Sequence, residues 1–305
     1  MPENPLFAIV DVTSWEIINE EPSGAEAKFW LEQPGTEVRW LLKSVTVTAT
    51  GHVQGEDWAE KAASHLGILL GIPCAHVEMA VWRESRGCIS ESLRPRWYQM
   101  QPGQTVLERC NAPGYVHHGK GKEHPGHSLE NIRDALAGVL PPPGCDLPFE
   151  ATAFDVFAGY VVFDAWIANQ DRHDNNWSVL VPGTSAADAP TQLSGSYDHA
   201  SSLAFGDQDG RRWTLLDDPG GVERWCVRGT ANRLEGRPRL VDAAARALQL
   251  ASPAARAYWP ERLSQVSDED VRRVLTRVPR MSEVARTFAG RVLEVNRRRV
   301  LDACA

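Results

Sequence analysis

Residues 149–168 have no polar face. Phe154, Val156, Phe157, Val161, Val162, Phe163, Trp166 and Ile167 are spread around every side of a helical projection. A helix that is apolar all round has to lie inside the protein, so this stretch is the central post of whatever the chain builds. Asp164 is a charge deep within it. A buried carboxylate needs a partner, and Arg172 or His173, just past the end of the post, is the natural one. The post leads directly into a dense polar cluster, Asn169-Gln170-Asp171-Arg172-His173-Asp174-Asn175-Asn176.

After Asn176 the chain reads Trp177-Ser178-Val179-Leu180-Val181, then the breaker Pro182-Gly183, a polar loop, and a second run ending at Tyr197-Asp198-His199. These are two short strands with a connector. Paired antiparallel, they bring the entrance of the first beside the exit of the second, so that Asn176 and Asp198 meet with Asp171 nearby. Two carboxylates and an amide converging on one point suit phosphoryl transfer. One carboxylate accepts a hydroxyl proton, and the other two groups hold magnesium against nucleotide phosphates.

Asp171-Arg172-His173-x-x-Asn176, followed by Tyr197-Asp198 after a hairpin, resembles the HipA-type toxin kinases and, more distantly, the phosphoinositide 3-kinase-like enzymes. The resemblance implies an α+β, two-lobed protein-kinase-like fold with a small β-rich N-lobe and a larger helical C-lobe, spanning residues 1–103 and 104–305. It also implies ATP and Mg2+ as cofactors. Asp171 is then the catalytic base, and Asn176 and Asp198 are the metal ligands. Arg172 and His173 brace the loop. The toxin kinases carry a further N-terminal region that engages an antitoxin, whereas this chain starts almost at the nucleotide loop and is expected to be a short form without it.

The first 50 residues read as strands. Phe7-Ala8-Ile9-Val10 is a short apolar run, and 27–31 and 38–43 flank the turn Gln33-Pro34-Gly35-Thr36. A glycine before the first of that pair, in Ser23-Gly24-Ala25-Glu26-Ala27-Lys28, lets backbone amides approach phosphates; a plain hairpin turn explains it as well. The resemblance makes it the nucleotide-covering loop, with Ser23, Gly24, Ala25 and Lys28 binding the cofactor and Ser23 a candidate for autophosphorylation.

Lys43 closes the apolar strand Trp40-Leu41-Leu42. It either snorkels to solvent or reaches an anion in a cleft. In a kinase-like N-lobe the lysine at this place draws on the phosphates and pairs with an acid on the next helix. Residues 56–70 supply that helix, with an apolar stripe at 59, 63, 66 and 70. Glu60 flanks the stripe and is the chosen partner, completing a catalytic set of Asp171, Lys43 and Glu60. Glu56, at the helix N-terminus, is held in reserve. Residues 77–82 and 88–93 bracket Glu84-Ser85-Arg86-Gly87 as a further hairpin, and the linker to the second lobe is expected through 97–103.

His117, His118, His124 and His127 fall within eleven residues. No helical spacing or carboxylate pattern accompanies them, so solvated imidazoles on a surface loop are expected rather than a metal site. Ser128 caps a helix expected over 128–140, with a stripe at Leu129, Ile132, Leu136 and Leu140. Residues 199–240 are rich in Ser, Gly, Asp and Arg and read as an activation and substrate-binding stretch, with Ser201, Ser202, Thr214 and Thr230 as possible phosphoacceptors. Helices are expected over 240–250, 258–263, 268–278 and 281–304. Arg297-Arg298-Arg299, near the end of the last, reads as a solvated face.

A net charge of −8 argues against a general affinity for nucleic acid or anionic membrane. Six scattered cysteines without metal-type spacing read as reduced thiols. With no apolar segment of membrane-spanning length, a cytoplasmic protein is expected. The expected activity is transfer of the ATP γ-phosphate to a hydroxyl of an unknown protein, peptide or small-molecule acceptor, resembling serine/threonine kinases. A kinase of a small molecule, lipid or biosynthetic peptide is the alternative, as is a nucleotide-binding regulator with little catalysis.

Overall fold

The computed structural model describes residues 5–21, 28–116 and 124–304. Helix α4 (Ala153–Ile167) is the post expected from the sequence, and every residue in it is buried. Thr152 and Asp155 close a capping box at its start. Ala168 ends it in the left-handed conformation and turns the chain into the polar cluster. Gly159 gives α4 its closest neighbour: a Cβ there would fall 2.5 Å from the Trp259 ring. That ring instead lies against the helix and donates its Nε1 hydrogen to the Asp155 carbonyl at 2.8 Å.

The N-terminal part is a six-stranded sheet made of β1 (Ile9–Asp11), β2 (Glu16–Glu21), β3 (Lys28–Glu32), β4 (Arg39–Ser44), β5 (Val77–Trp82) and β6 (Ser85–Glu91). Their order is β1-β5-β6-β4-β3-β2, and only β1 with β5 is parallel. One face closes over Val12, Leu31, Trp40, Leu42, Ala80 and Ile89. Helix α1 (Glu56–Leu70) packs on the sheet through β5 and β6. Its stripe at Ala59, Ala63, Leu66 and Leu70 is fully buried, as its period requires.

The remainder is mainly helical. β7 (Tyr98–Pro102) runs through the expected linker and pairs antiparallel with β8 (Ser178–Pro182), which pairs in turn with β9 (Gln192–Leu193). Helices α2 (Gly103–Arg109), α3 (Leu129–Ala135), α5 (Asp209–Asp217), α6 (Gly221–Arg228), α7 (Leu240–Leu250), α8 (Pro253–Gln265), α9 (Asp268–Arg277) and α10 (Glu283–Cys304) enclose the post. α4 packs chiefly against α7 and α10. This is the two-lobed, α+β, kinase-like architecture.

Several expectations need correction. The β5–β6 turn is the two residues Arg83 and Glu84, both at positive φ, so Ser85-Arg86-Gly87 belongs to a strand. Two-residue loops of that handedness match strand twist even without glycine. Ser128 does cap α3, accepting from Asn131 N, but the helix ends at Ala135; Leu140 is exposed and bridges to Gln192. Two helices, α5 and α6, lie in the stretch read as activation and substrate-binding, for which no helix is expected from the sequence. The Arg297–Arg299 run is not a free face. Arg297 pairs with Asp268 at 2.6 Å and Arg299 donates to the Cys226 carbonyl at 3.0 Å, fastening α10 to α9 and α6. Among the described residues, no helix is long and apolar enough to cross a membrane.

Candidate active site

The polar cluster is built outward from one buried ion pair. Asp164 and Arg172 are both almost completely buried, and the guanidinium meets the carboxylate through Nε and Nη2 at 2.7 Å each. Asn169 Nδ2 donates to the same carboxylate at 2.8 Å. The third guanidinium nitrogen, Nη1, donates to the Asn176 carbonyl at 2.8 Å. Arg172 therefore ties the end of the loop to the post that begins it. Of the two partners considered for Asp164, the structure selects Arg172. His173 accepts from Asn175 N through Nδ1 instead, and burial keeps its imidazole below its usual pKa despite the nearby Asp171, Asp198 and Asp174 charges.

Asn176 turns its amide back across the loop and donates to the Asp171 carbonyl at 2.8 Å. The hairpin beside it has the expected shape. Ser194 N donates to Ser178 O. The Tyr197 hydroxyl lies 2.5 Å from Ser178 Oγ and donates to Asn175 O at 2.9 Å. The strand exit carrying Asp198 is thereby held against the entrance carrying Asn176. Asp198 itself sits at φ +60°, a left-handed conformation seldom adopted by side chains with a Cβ and common where function over-determines the backbone.

Lys43 reaches this point from the sheet. Its ammonium is 2.9 Å from Asp198 Oδ1 and 3.8 Å from Glu60 Oε2. Glu60, fully inside on α1, accepts the backbone N–H of His199 at 2.9 Å through its other oxygen. The lysine does not snorkel. Burial opposes its charge, but Asp198 and Glu60 more than compensate and raise its pKa. Burial likewise opposes ionisation of Asp198, and Lys43, then Lys28 and His173, hold it well below the usual carboxylate range. Glu60 is lowered too, with Lys43 and His199 outweighing its burial. Lys28, directly opposite Lys43 on β3, contributes its charge to the same place. Glu56, the reserve choice, instead accepts from Thr46 N. Ser23, Gly24 and Ala25, together with His117 and His118, lie outside the described residues.

One ammonium group, that of Lys43, thus lies between two carboxylates. Lys43 leans toward Asp198, and Glu60 Oε2 is buried with no hydrogen-bond partner among the described residues. A divalent ion at Asp198 fits this arrangement, because it would release Lys43 toward Glu60 and toward a phosphate. Magnesium keeps several waters and needs only one or two protein oxygens besides the phosphates. Asn176 Oδ1 and Asp198 are the oxygens that could meet that demand; the described residues hold no cluster of three His, Cys, Asp or Glu side chains suited to a metal.

Sequence reasoning missed two residues. Arg233 places Nε 2.5 Å from Asp171 Oδ1. His127 is not a solvated imidazole but is buried, accepting from Trp177 Nε1 at 3.2 Å and donating from Nδ1 to Arg233 O at 2.6 Å. Those two bonds require the neutral ring, which burial favours. Of the proposed phosphoacceptors, Ser202 is buried and Thr230 donates its hydroxyl to Asn232.

The fold is of the protein-kinase class. Two of the solved structures similar to this chain share it. The Helicobacter pylori proinflammatory kinase CtkA superposes with a TM-score of 0.69 at 16% identity, over 97% of each chain. HipA of the Shewanella oneidensis MR-1 toxin–antitoxin system, solved with HipB and operator DNA, gives 0.57 at 13% identity, over 95% of this chain and 66% of that one. At those identities the likeness is one of fold, which is the fold implied by the HipA-type resemblance. No protein-family model and no curated protein matches the chain.

Proposed function

We propose that this chain is an ATP- and magnesium-dependent phosphotransferase acting on a hydroxyl, of the serine/threonine protein kinase kind. The observation that carries the reading is the convergence of Lys43, Glu60 and Asp198 from three separate elements, with Asp171 and Asn176 on the adjoining loop. Buried charges are costly unless paired. A stable core has no need to gather several of them at the mouth of a loop.

Asp171 accepts the proton of the acceptor hydroxyl. The freed oxygen bonds to the γ-phosphorus, the bond from that phosphorus to its bridging oxygen breaks, and ADP leaves. Lys43, steadied by Glu60, holds the α- and β-phosphates, and Lys28 adds positive charge beside it. Ser23, Gly24 and Ala25 are assigned to cover the nucleotide. Asn176 and Asp198 would hold magnesium, which when bound neutralises charge on the phosphates. Asn176 also fixes Asp171 through its amide, and Arg172 keeps both in register. Positioning and charge neutralisation are most of what phosphoryl transfer asks of a protein.

Intact-protein and peptide mass spectrometry after incubation with magnesium ATP tests the reading. Gain of a phosphoryl group, on the chain or on an added acceptor, is the expected result and should vanish in Asp171→Asn. Gain of an adenylyl group, or full activity of Asp171→Asn, would overturn it.

A further inference from the structure

Asp171 has two sides. Toward the sheet lie Asn176, Asp198 and Lys43. On the other side opens a cavity of about 540 Å³ whose lining includes Asp171, Arg233, Arg237, His124, Gln170 and Asn232 but none of Lys43, Glu60, Asn176 or Asp198. A second cavity of about 480 Å³ continues from it, sharing Gln170, Ser201 and Phe205. The continuation is lined by Arg211, Arg224 and Arg228, with Asp207 and Asp218. Together they form a groove that begins at the base assigned above and is lined by none of Lys43, Glu60, Asn176 or Asp198.

The charge in this groove runs against that of the chain. Net charge over the whole protein is −8, yet five arginines face this surface. Three are paired: Arg233 with Asp171, Arg211 with Asp207 at 3.1 Å, and Arg224 with Asp218. Among the described residues the Arg237 side chain donates to the neutral Asn232 Oδ1, and neither Arg237 nor Arg228 has a carboxylate partner. Two guanidinium groups without a carboxylate partner among the described residues therefore line this concave surface. Guanidinium is the side chain best matched to a carboxylate, because its donors form a planar fork.

The loop that carries Arg233 and Arg237 is also held in place. Asn232 donates from N to Gln170 O at 3.2 Å and from Nδ2 to Gln170 Oε1 at 3.1 Å. Arg233 O accepts from His127, and Glu235 Oε1 accepts from Gly126 N at 3.0 Å. These bonds fasten the loop to the start of the catalytic cluster, which suits a binding surface built before its ligand arrives.

We infer that this groove takes an acidic polypeptide segment, with Asp or Glu side chains on both sides of the acceptor hydroxyl, and that Arg233 and Arg237 are the residues that read it. The inference rests on the kinase reading for its hydroxyl, and extends it to the class of acceptor. A segment is favoured over a small molecule because the two cavities are continuous and the arginines are distributed along both. Arg233 has a second part. While it pairs with Asp171 it occupies the carboxylate that must receive the hydroxyl proton, and an incoming carboxylate draws it away. The acidic segment thus competes for the arginine and frees the base in the same event.

Fluorescence anisotropy with the full chain and no nucleotide tests this separately from catalysis. The probes are a labelled serine peptide flanked by Asp and Glu, its Asn/Gln counterpart, and its Lys counterpart. The acidic peptide should bind at least tenfold more tightly than the neutral one, with affinity falling as salt rises. Arg237→Glu should remove that preference and shift it toward the Lys peptide; Arg237→Gln should reduce it partway. Equal binding of the three peptides, or an unchanged preference in a folded Arg237→Glu protein, would overturn the inference. If the acidic peptide binds as expected but acquires no phosphate with magnesium ATP, the groove assignment stands and the phosphotransferase reading falls.

Discussion

Replacing Arg172 with methionine keeps most of the side-chain volume and removes the guanidinium. Asp164, only 3% exposed, would then retain Asn169 as its single side-chain donor, and the Asn176 carbonyl would lose its partner. Breaking one side of a buried ion pair costs about 3–5 kcal/mol, because the remaining charge cannot return to water. With a urea slope of about 3 kcal/mol per M for a chain of this size, the unfolding midpoint should fall by roughly 1–1.7 M. The eleven tryptophans give an ample fluorescence signal for that titration. Removing both charges, in Asp164→Leu with Arg172→Met, should cost less than the two single changes added together, by about 2 kcal/mol or more. Any phosphotransfer should be lost in the single variant, since Asn176 is no longer anchored. A midpoint shift below about 0.3 M, on the order of 1 kcal/mol, or strict additivity in the pair, would refute the view that this ion pair braces the site.

Gly87 lies on β6 beside Lys43, and a Cβ there would sit 2.3 Å from the Lys43 carbonyl oxygen; Gly87→Ala must part the two strands and should lower nucleotide affinity severalfold in a binding titration. His127→Phe leaves Trp177 Nε1 and Arg233 O without their partner, and should cost about 1–3 kcal/mol in denaturation. His65, stacked on Phe7 at 4.1 Å, is held down to about 4 by burial and then by the Lys61 charge. The unfolded chain takes up that proton near 6.5 and the folded chain resists, so stability should fall as pH drops from 6.5 toward 4. Urea midpoints measured across that range should decline, less steeply in His65→Gln; a flat or rising profile would contradict the assignment.

Much of the site is legible in the sequence because its parts are local or linked by regular structure. The apolar post has only one place to go, and it fixes where residues 169–176 emerge. The hairpin after Asn176 then returns Asp198 to them, since two short antiparallel strands leave little freedom of register. Glu60 follows from the α1 stripe, whose period puts it on the inward edge. Arg233 was not legible: it is 62 residues from Asp171 and comes from a loop without periodicity. His127 is hidden among neighbouring histidines, and only its burial against Trp177 distinguishes it. Helices α5 and α6 are not legible because their Gly-, Asp- and Arg-rich composition favours turns. Their helicity comes from packing against α10, a tertiary contribution that outweighs local propensity.

Calorimetric titration of ATP, with and without magnesium, into the unaltered chain and into Asp198→Asn and Asp171→Asn, tests the central claim most directly. Magnesium should strengthen ATP binding about tenfold or more in the unaltered chain, roughly 1.4 kcal/mol, and that gain should disappear in Asp198→Asn. Asp171→Asn, which changes a group that makes few contacts with bound nucleotide, should bind ATP within a few-fold of the original while losing transfer. No ATP binding, or the same magnesium response in Asp198→Asn, would contradict a nucleotide site formed by Lys43, Asn176 and Asp198.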